Sequence, residues 1–244
     1  MIETKIFKPV IKNITQGKNT RLVNKFTINN KTLGELTVDN KIYDDGYNKL
    51  IAEIKNSNGE ELGHEIYSIE DYNKSMFGYF ITIKQDYRNS TSKNFRFGEI
   101  LRLSSIISMI ENQLKNFGIY SKDSAIYFHS KYKFIPNISE FHQRDMTLKT
   151  IANDKDKNFE DFSKQAAEYL KILSQNLSGE EKRNLCKKTS LLAKEYIEQV
   201  LKLGEEKSHP FNTGIDMILP SETLLKNKDF FNSLFQKHGI DYNI

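Results

Sequence analysis

Lys93 and Arg96 lie between an apolar run ending near Ile83 and an amphipathic run opening at Phe97, and Gly98 stands in the first turn of that run. Backbone amides at a helix start, a small residue and nearby cations together hold a phosphate or pyrophosphate group. Gly98 alone reads equally well as a packing position. Other chemistry has less support. The five histidines, His64, His129, His142, His209 and His238, show no Cys/His or carboxylate-rich spacing, so the pattern predicts no metal. There is no nucleophile-elbow pattern for a Ser/His/Asp hydrolase. Cys186 is the single cysteine, which rules out an internal disulfide; beside Leu185 in a helical pattern it reads as a small buried residue.

The elements that must position these residues are set by periodicity. Residues Arg21 to Ile28 and Thr32 to Val38 flank Asn29-Asn30-Lys31, a turn sequence. Leu50, Ala52 and Ile54 alternate with more polar neighbours and lead through Asn58-Gly59, a strong hairpin signal, into Leu62 to Ile69. With Gly78 to Ile83 this predicts an antiparallel meander of four or so strands. Asp86 to Asn94 reads as an exposed loop. Phe97, Ile100, Leu101, Ser104, Ile107, Ile110 and Leu114 recur at three- and four-residue steps, predicting a helix closed near Gly118. A short helix to Tyr132 comes next, then an extended piece from Phe134 to Ile138. Phe159 to Leu177 and Leu185 to Leu203 form two helical stripes around the Ser178/Glu181 capping box. Ile215 to Leu219 reads as a strand, and a last helical region opens at Ser221 and ends by Gly239.

The order strand, basic loop, long helix, then Ala125-Ile-Tyr-Phe-His-Ser-Lys-Tyr-Lys-Phe134 resembles the GNAT superfamily of acyl-CoA-dependent N-acyltransferases over roughly residues 62–138. In that family a strand leads to a loop Arg/Gln-x-x-Gly-x-Gly/Ala at a helix start. A later helix reads Ala-x-x-x-Tyr-x-x-x-Gly-Phe. Lys93 stands at the first Arg or Gln, Arg96 at the first Gly, and Gly98 at the last small position. The resemblance implies that the amides of Arg96, Phe97, Gly98, Glu99 and Ile100 face the pyrophosphate of coenzyme A. It also implies that the strand end at Ile81 to Ile83 pairs with the pantetheine arm. In the second motif Ala125 and Phe134 match, His129 replaces the tyrosine that protonates the leaving thiolate, and Lys133 replaces the glycine. An imidazole supplies a proton near neutral pH, so His129 or water takes the general acid's part. A general base stays open among Glu35, Glu53 and Glu65.

The resemblance implies an α/β (α+β) fold: a mixed, mainly antiparallel central sheet flanked by helices, with an added helical hairpin. Its parts would be a core over residues 1–140, an inserted αα-hairpin over 155–206, and a final strand and C-terminal helix over 207–244. The implied activity is transfer of an acyl group from acetyl-CoA to an amine acceptor. The alternative is a non-catalytic GNAT-like interaction module using the hairpin as a partner or homodimer surface. Charges are interleaved along the chain at a net +4, which argues against a nucleic-acid arm. The opening residues lack the apolar core of a signal peptide and no run reaches membrane-span length, so a soluble cytoplasmic protein is expected.

Overall fold

The structure, a computed structural model, describes residues 7–16, 19–44, 49–88 and 96–244, with the backbone alone for Gln16 and Arg88. Its class is mixed α/β, with a mainly antiparallel sheet and flanking helices. Two compact units divide the chain, one made of residues Met1–Phe117 and Pro220–Ile244, the other of Gly118–Leu219.

In the first unit, β1 (Val10–Gln16), β2 (Asn19–Asn30), β3 (Gly34–Tyr43), β4 (Lys49–Asn56), β5 (Glu61–Glu70) and β6 (Ser75–Ile83) form an antiparallel meander, each strand paired with the next. Six strands thus form where the periodicity showed four or so. The added strand is β1, which is half-buried to exposed along its length and so carries little apolar alternation. β4 departs from alternation for the opposite reason. Leu50 to Ile54 are all buried, so both faces of that strand are covered.

Helix α2 (Phe97–Glu111) lies against β2, β4, β5 and β6. Its contact with the sheet is unusually polar. Asn24 Nδ2 donates to the Ser104 carbonyl at 2.8 Å and to Ser108 Oγ at 2.9 Å. Asn40 Nδ2 donates to Ser104 Oγ at 2.9 Å, and Tyr67 OH donates to Asn40 Oδ1 at 2.8 Å. One step along β5, Glu65 accepts from Arg102 Nη1 at 2.6 Å and from Ser105 Oγ at 2.8 Å. Glu65 and Tyr67 reach the same helix because alternate residues of a strand share a face. All of these side chains are buried, Glu65 at 0% exposure and Arg102 at 3%. The guanidinium also stacks on the Phe117 ring, 4.8 Å from its centroid. Burial pushes the Glu65 carboxyl upward against the pull of Arg102 and Ser105. Gly78 makes the room: a Cβ there would stand 3.2 Å from both Arg102 Nη1 and Glu65 Oε1, and 3.0 Å from Phe117.

The helix ends earlier than its apolar pattern indicates. Asn112 caps it, Gln113 turns into the left-handed region at φ 52°, and Gly118 lies inside the following strand rather than at the helix end. Asn112 works for this stop because its Nδ2 donates to the Ser108 and Leu22 carbonyls at 2.7 and 2.6 Å. The unit closes with α7 (Ser221–Lys226) and α8 (Lys228–Lys237), which bury Leu224, Phe231, Leu234 and Phe235. Phe230, expected on that buried side, is half-buried.

The second unit begins within β7 (Asn116–Lys122), which enters a strand order β7-β9-β8. Helix α3 (Ala125–Lys131) leads to β8 (Ile135–Pro136), paired antiparallel with β9 (Gly214–Pro220). Gly214 lets the Tyr120 side chain lie close over the backbone, since a Cβ would fall 2.2 Å from Tyr120 OH and make that ring move. Helix α4 (Phe141–Ala152) has no clear apolar stripe in the sequence. It is anchored instead by Gln143, whose Nε2 donates to Asp216 Oδ2 and whose Oε1 accepts from the Asp216 amide, both at 3.0 Å. After a 3-10 turn (Lys157–Phe159), α5 (Glu160–Leu173) and α6 (Gly179–Leu203) form the hairpin. The Ser178/Glu181 capping box and the Gly204 stop form as read from the sequence. Cys186 is buried, and burial pushes its thiol up. No helix among the described residues is long and apolar enough to cross a membrane.

Removing one side of a buried ion pair leaves the other charge behind. Glu65→Gln is expected to lower unfolding stability by about 3 kcal/mol or more in urea titrations, and Glu65→Met with Arg102→Met to recover most of the loss. Equal losses in the single and double variants would mean the pair does not act as a unit.

Candidate functional site

β6 delivers the chain to the site. Its register with β5 slips so that Ile66 faces Phe80 and Tyr67 faces Gly78, which leaves Tyr79 as an extra residue. A bulge of this kind bends and twists the strand and re-aims the residues beyond it. Past the bulge Phe80 is 52% exposed, and Ile81 and Ile83 are half-buried. Where the sequence pattern indicates an exposed loop, residues Gln85–Arg88 make a one-turn helix, α1, with the Tyr87 amide donating to the Lys84 carbonyl at 2.9 Å. Residues 89–95, Lys93 among them, lie outside the described residues.

The next residues form the first turn of α2. Arg96 stands at the helix entry with φ 49° and ψ 36°, in the left-handed region, and makes no side-chain cap. Its side chain is 44% exposed, with Nη1 3.9 Å from Glu99 Oε2. Phe97 is buried and tilts against the Tyr87 ring at 5.6 Å; Gly98 is half-buried; Ile100 is buried. The Glu99 and Ile100 amides both donate to the Arg96 carbonyl, at 3.0 and 3.1 Å. Those two amides are therefore engaged within the helix and not open to an anion.

Glu99 itself is 4% exposed. Lys237 Nζ donates to its Oε1 at 2.6 Å, and His238 Nε2 contacts the same oxygen. Lys237 and His238 come from the end of α8, far along the chain. Sequence spacing holds no sign of them. With Arg96 they gather basic side chains around a single carboxylate at the positive end of a helix.

None of the carboxylates considered as a general base stands poised for one. Glu65 is sealed against Arg102. Burial would raise Glu53, but hydrogen bonds from Lys41 and Lys55, each 2.8 Å away, more than offset this and hold it below its ordinary value. Glu35 is exposed on β3.

In the second unit His129 lies on α3 and is 9% exposed. Its ring stands edge-on to Phe128 and Phe134, at centroid distances of 5.1 and 5.7 Å. The carbonyl of His129 accepts from the Tyr132 and Phe134 amides at 2.9 and 3.2 Å, closing the helix. That closure puts Lys133 at φ 66°, again in the left-handed region.

Two positions where the resembled motifs carry glycine, 96 and 133, thus both adopt the backbone that glycine takes without cost. Among the described residues, Asp156, Glu205 and His209 form the group whose metal-ligating atoms lie in reach of one another.

No family model matches the chain, and no curated protein matches it. Solved structures that match it are acetyltransferases. Nourseothricin acetyltransferase is 14% identical over 55% of this chain and 71% of that one, with a TM-score of 0.31. The PaiA N-acetyltransferase of Thermoplasma acidophilum, solved with coenzyme A, is 13% identical over 39% of this chain and 57% of that one, at 0.33. A GNAT-family acetyltransferase from Staphylococcus aureus Mu50 is 19% identical over 38% and 56%, at 0.32. These are the kind of protein that the sequence resembles. The chain spans little more than half the length of the latter two. At such TM-scores the likeness carries no argument, and fold and chemistry rest on the chain's own residues.

A left-handed lysine costs about 1 kcal/mol that glycine does not incur. Lys133→Gly is expected to raise unfolding stability by about that amount, while Lys133→Ala, equally strained, gains nothing. A destabilised Lys133→Gly variant would show that the side chain's contacts outweigh the backbone strain.

Proposed function

We propose that the protein is an acyl-CoA-dependent N-acyltransferase of GNAT kind, moving an acyl group, most often acetyl in that family, from coenzyme A to an amine. The observation that carries the reading is the pair of left-handed residues, Arg96 and Lys133, at the two glycine positions of the resembled motifs. The order of a bulged strand β6, a basic entry and helix α2 supports it.

In this reading the amides that open α2 and the Arg96 guanidinium bind the coenzyme pyrophosphate. The helix end contributes about 0.3–1 kcal/mol and a charge-assisted hydrogen bond about 1.5–3 kcal/mol. The main chain of Ile81 to Ile83 pairs with the pantetheine arm. The neutral amine nitrogen attacks the thioester carbonyl carbon, the carbon–sulfur bond breaks, and the acyl group leaves as an amide. The departing thiolate takes a proton from His129 or water, and the amine's surplus proton goes to solvent. Positioning supplies most of the rate.

Isothermal titration with acetyl-CoA tests the binding half. Heat of binding is expected below about 1 mM ligand, and Arg96→Glu should weaken it at least about tenfold. No binding at that concentration would leave the interaction module as the better description. For the chemical half, thiol release from acetyl-CoA is monitored with a panel of primary amines. His129→Phe should lower turnover by about 100-fold at unchanged acetyl-CoA affinity. Unchanged turnover would assign His129 a packing role only.

A further inference from the structure

A second group of side chains, independent of the acyltransfer reading, surrounds one imidazole within the second unit. His209, just past the end of α6, is 7% exposed. Its Nδ1 lies 2.7 Å from Asp154 Oδ2. The same oxygen accepts from Tyr196 OH at 2.7 Å, while Asp154 Oδ1 accepts from the Asp156 amide at 3.0 Å. The Phe159 ring covers the imidazole at a centroid distance of 4.3 Å, and the His209 carbonyl accepts from Tyr127 OH. On the other side of the ring, Nε2 stands 2.9 Å from Glu205 Oε2 and 3.7 Å from Asp156 Oδ2.

The two ring nitrogens have different duties. Nδ1 is held by the Asp154 carboxylate, which orients the ring so that Nε2 faces Glu205 and Asp156. Nε2 and two carboxylate oxygens thus converge on one point, and a cation bound there in place of a proton is attracted by both carboxylates. A carboxylate behind a histidine that presents its other nitrogen is the arrangement that orients metal-binding imidazoles. The Glu205 and Asp156 side chains are 32% and 35% exposed, so an ion reaches them from solvent. A cavity of about 550 Å³ adjoins the same imidazole, lined by Asp154 and Tyr196 among others.

We propose that Asp156, Glu205 and His209 bind a divalent first-row metal cation, with zinc as the best match, and that Asp154 and Tyr196 position the imidazole. The three ligand atoms all lie within 4.8 Å of one another. A tetrahedral zinc with bonds of about 2.1 Å sets its ligands about 3.4 Å apart, between the separations found here. One nitrogen with two carboxylate oxygens suits such an ion better than magnesium or calcium, which prefer oxygen alone. The fourth position is left to water. The bound ion ties the turn after α4 to the end of α6. Sequence spacing hides the site, because Asp156 is remote and only Glu205 and His209 stand four residues apart.

Chelator-stripped protein titrated with zinc against a chromophoric competitor tests this. One equivalent is expected to bind, with a rise in Tm of several degrees. The double variant Asp156→Asn/Glu205→Gln should lose about 100-fold in affinity together with the Tm rise. Cobalt provides a readout on the unaltered chain, where tetrahedral binding gives visible absorption bands that zinc then displaces. Absence of those bands, or equal zinc affinity in the double variant, would overturn the proposal and leave His209 as a structural bridge between carboxylates.

Discussion

The buried polar seam between α2 and the meander is the constraint on which the first unit depends. An apolar interface tolerates small slides, because one hydrocarbon contact replaces another. A seam of Asn24, Asn40, Tyr67, Ser104 and Ser108 does not, since each displaced donor or acceptor is left unpaired at about 1–3 kcal/mol. The Glu65–Arg102 pair adds charge to the same demand. Together they fix both the rotation of α2 and its position along the sheet. The start of the helix, one turn before Arg102, is therefore held to its place by interactions that take no part in any chemistry.

The helix entry keeps a conformation that its residue resists. Arg96 occupies left-handed backbone, which a glycine would adopt freely, and its side chain sets a cation at the positive end of α2. Glu99, Lys237 and His238 gather one turn away, so the entry carries more positive than negative side chains. Lys133 likewise adopts left-handed backbone past the end of α3, under a side chain that disfavours it. Strain of this kind survives only where surrounding structure determines the backbone more strongly than the residue does.

The legible parts of the chain are those with local causes. The Asn58-Gly59 turn, the Ser178/Glu181 capping box and the strand at Ile215 to Leu219 depend on residues close in sequence, and all three form. The end of α2 is not legible in this way, because the apolar spacing runs on to Leu114, whereas the stop is set by Asn112 bonding to Leu22 on β2. Helix α4 leaves a weak periodic signal because its buried face mixes Leu148 and Ile151 with Gln143, Arg144 and Thr147. Arg96 to Ile100 in the first unit and His129 in the second stand out in the sequence through motif order alone. Lys237, His238 and the group around His209 are not, since their partners meet only in the folded chain.

The central claim is that the entry of α2 binds the pyrophosphate of an acyl-coenzyme. A crystal structure of the protein soaked with coenzyme A measures this directly. The expected result is pyrophosphate oxygens within hydrogen-bonding distance of the amides at positions 96–98, with the Arg96 guanidinium turned toward them. Ordered coenzyme bound elsewhere, or an empty helix entry at about 1 mM ligand, would contradict it.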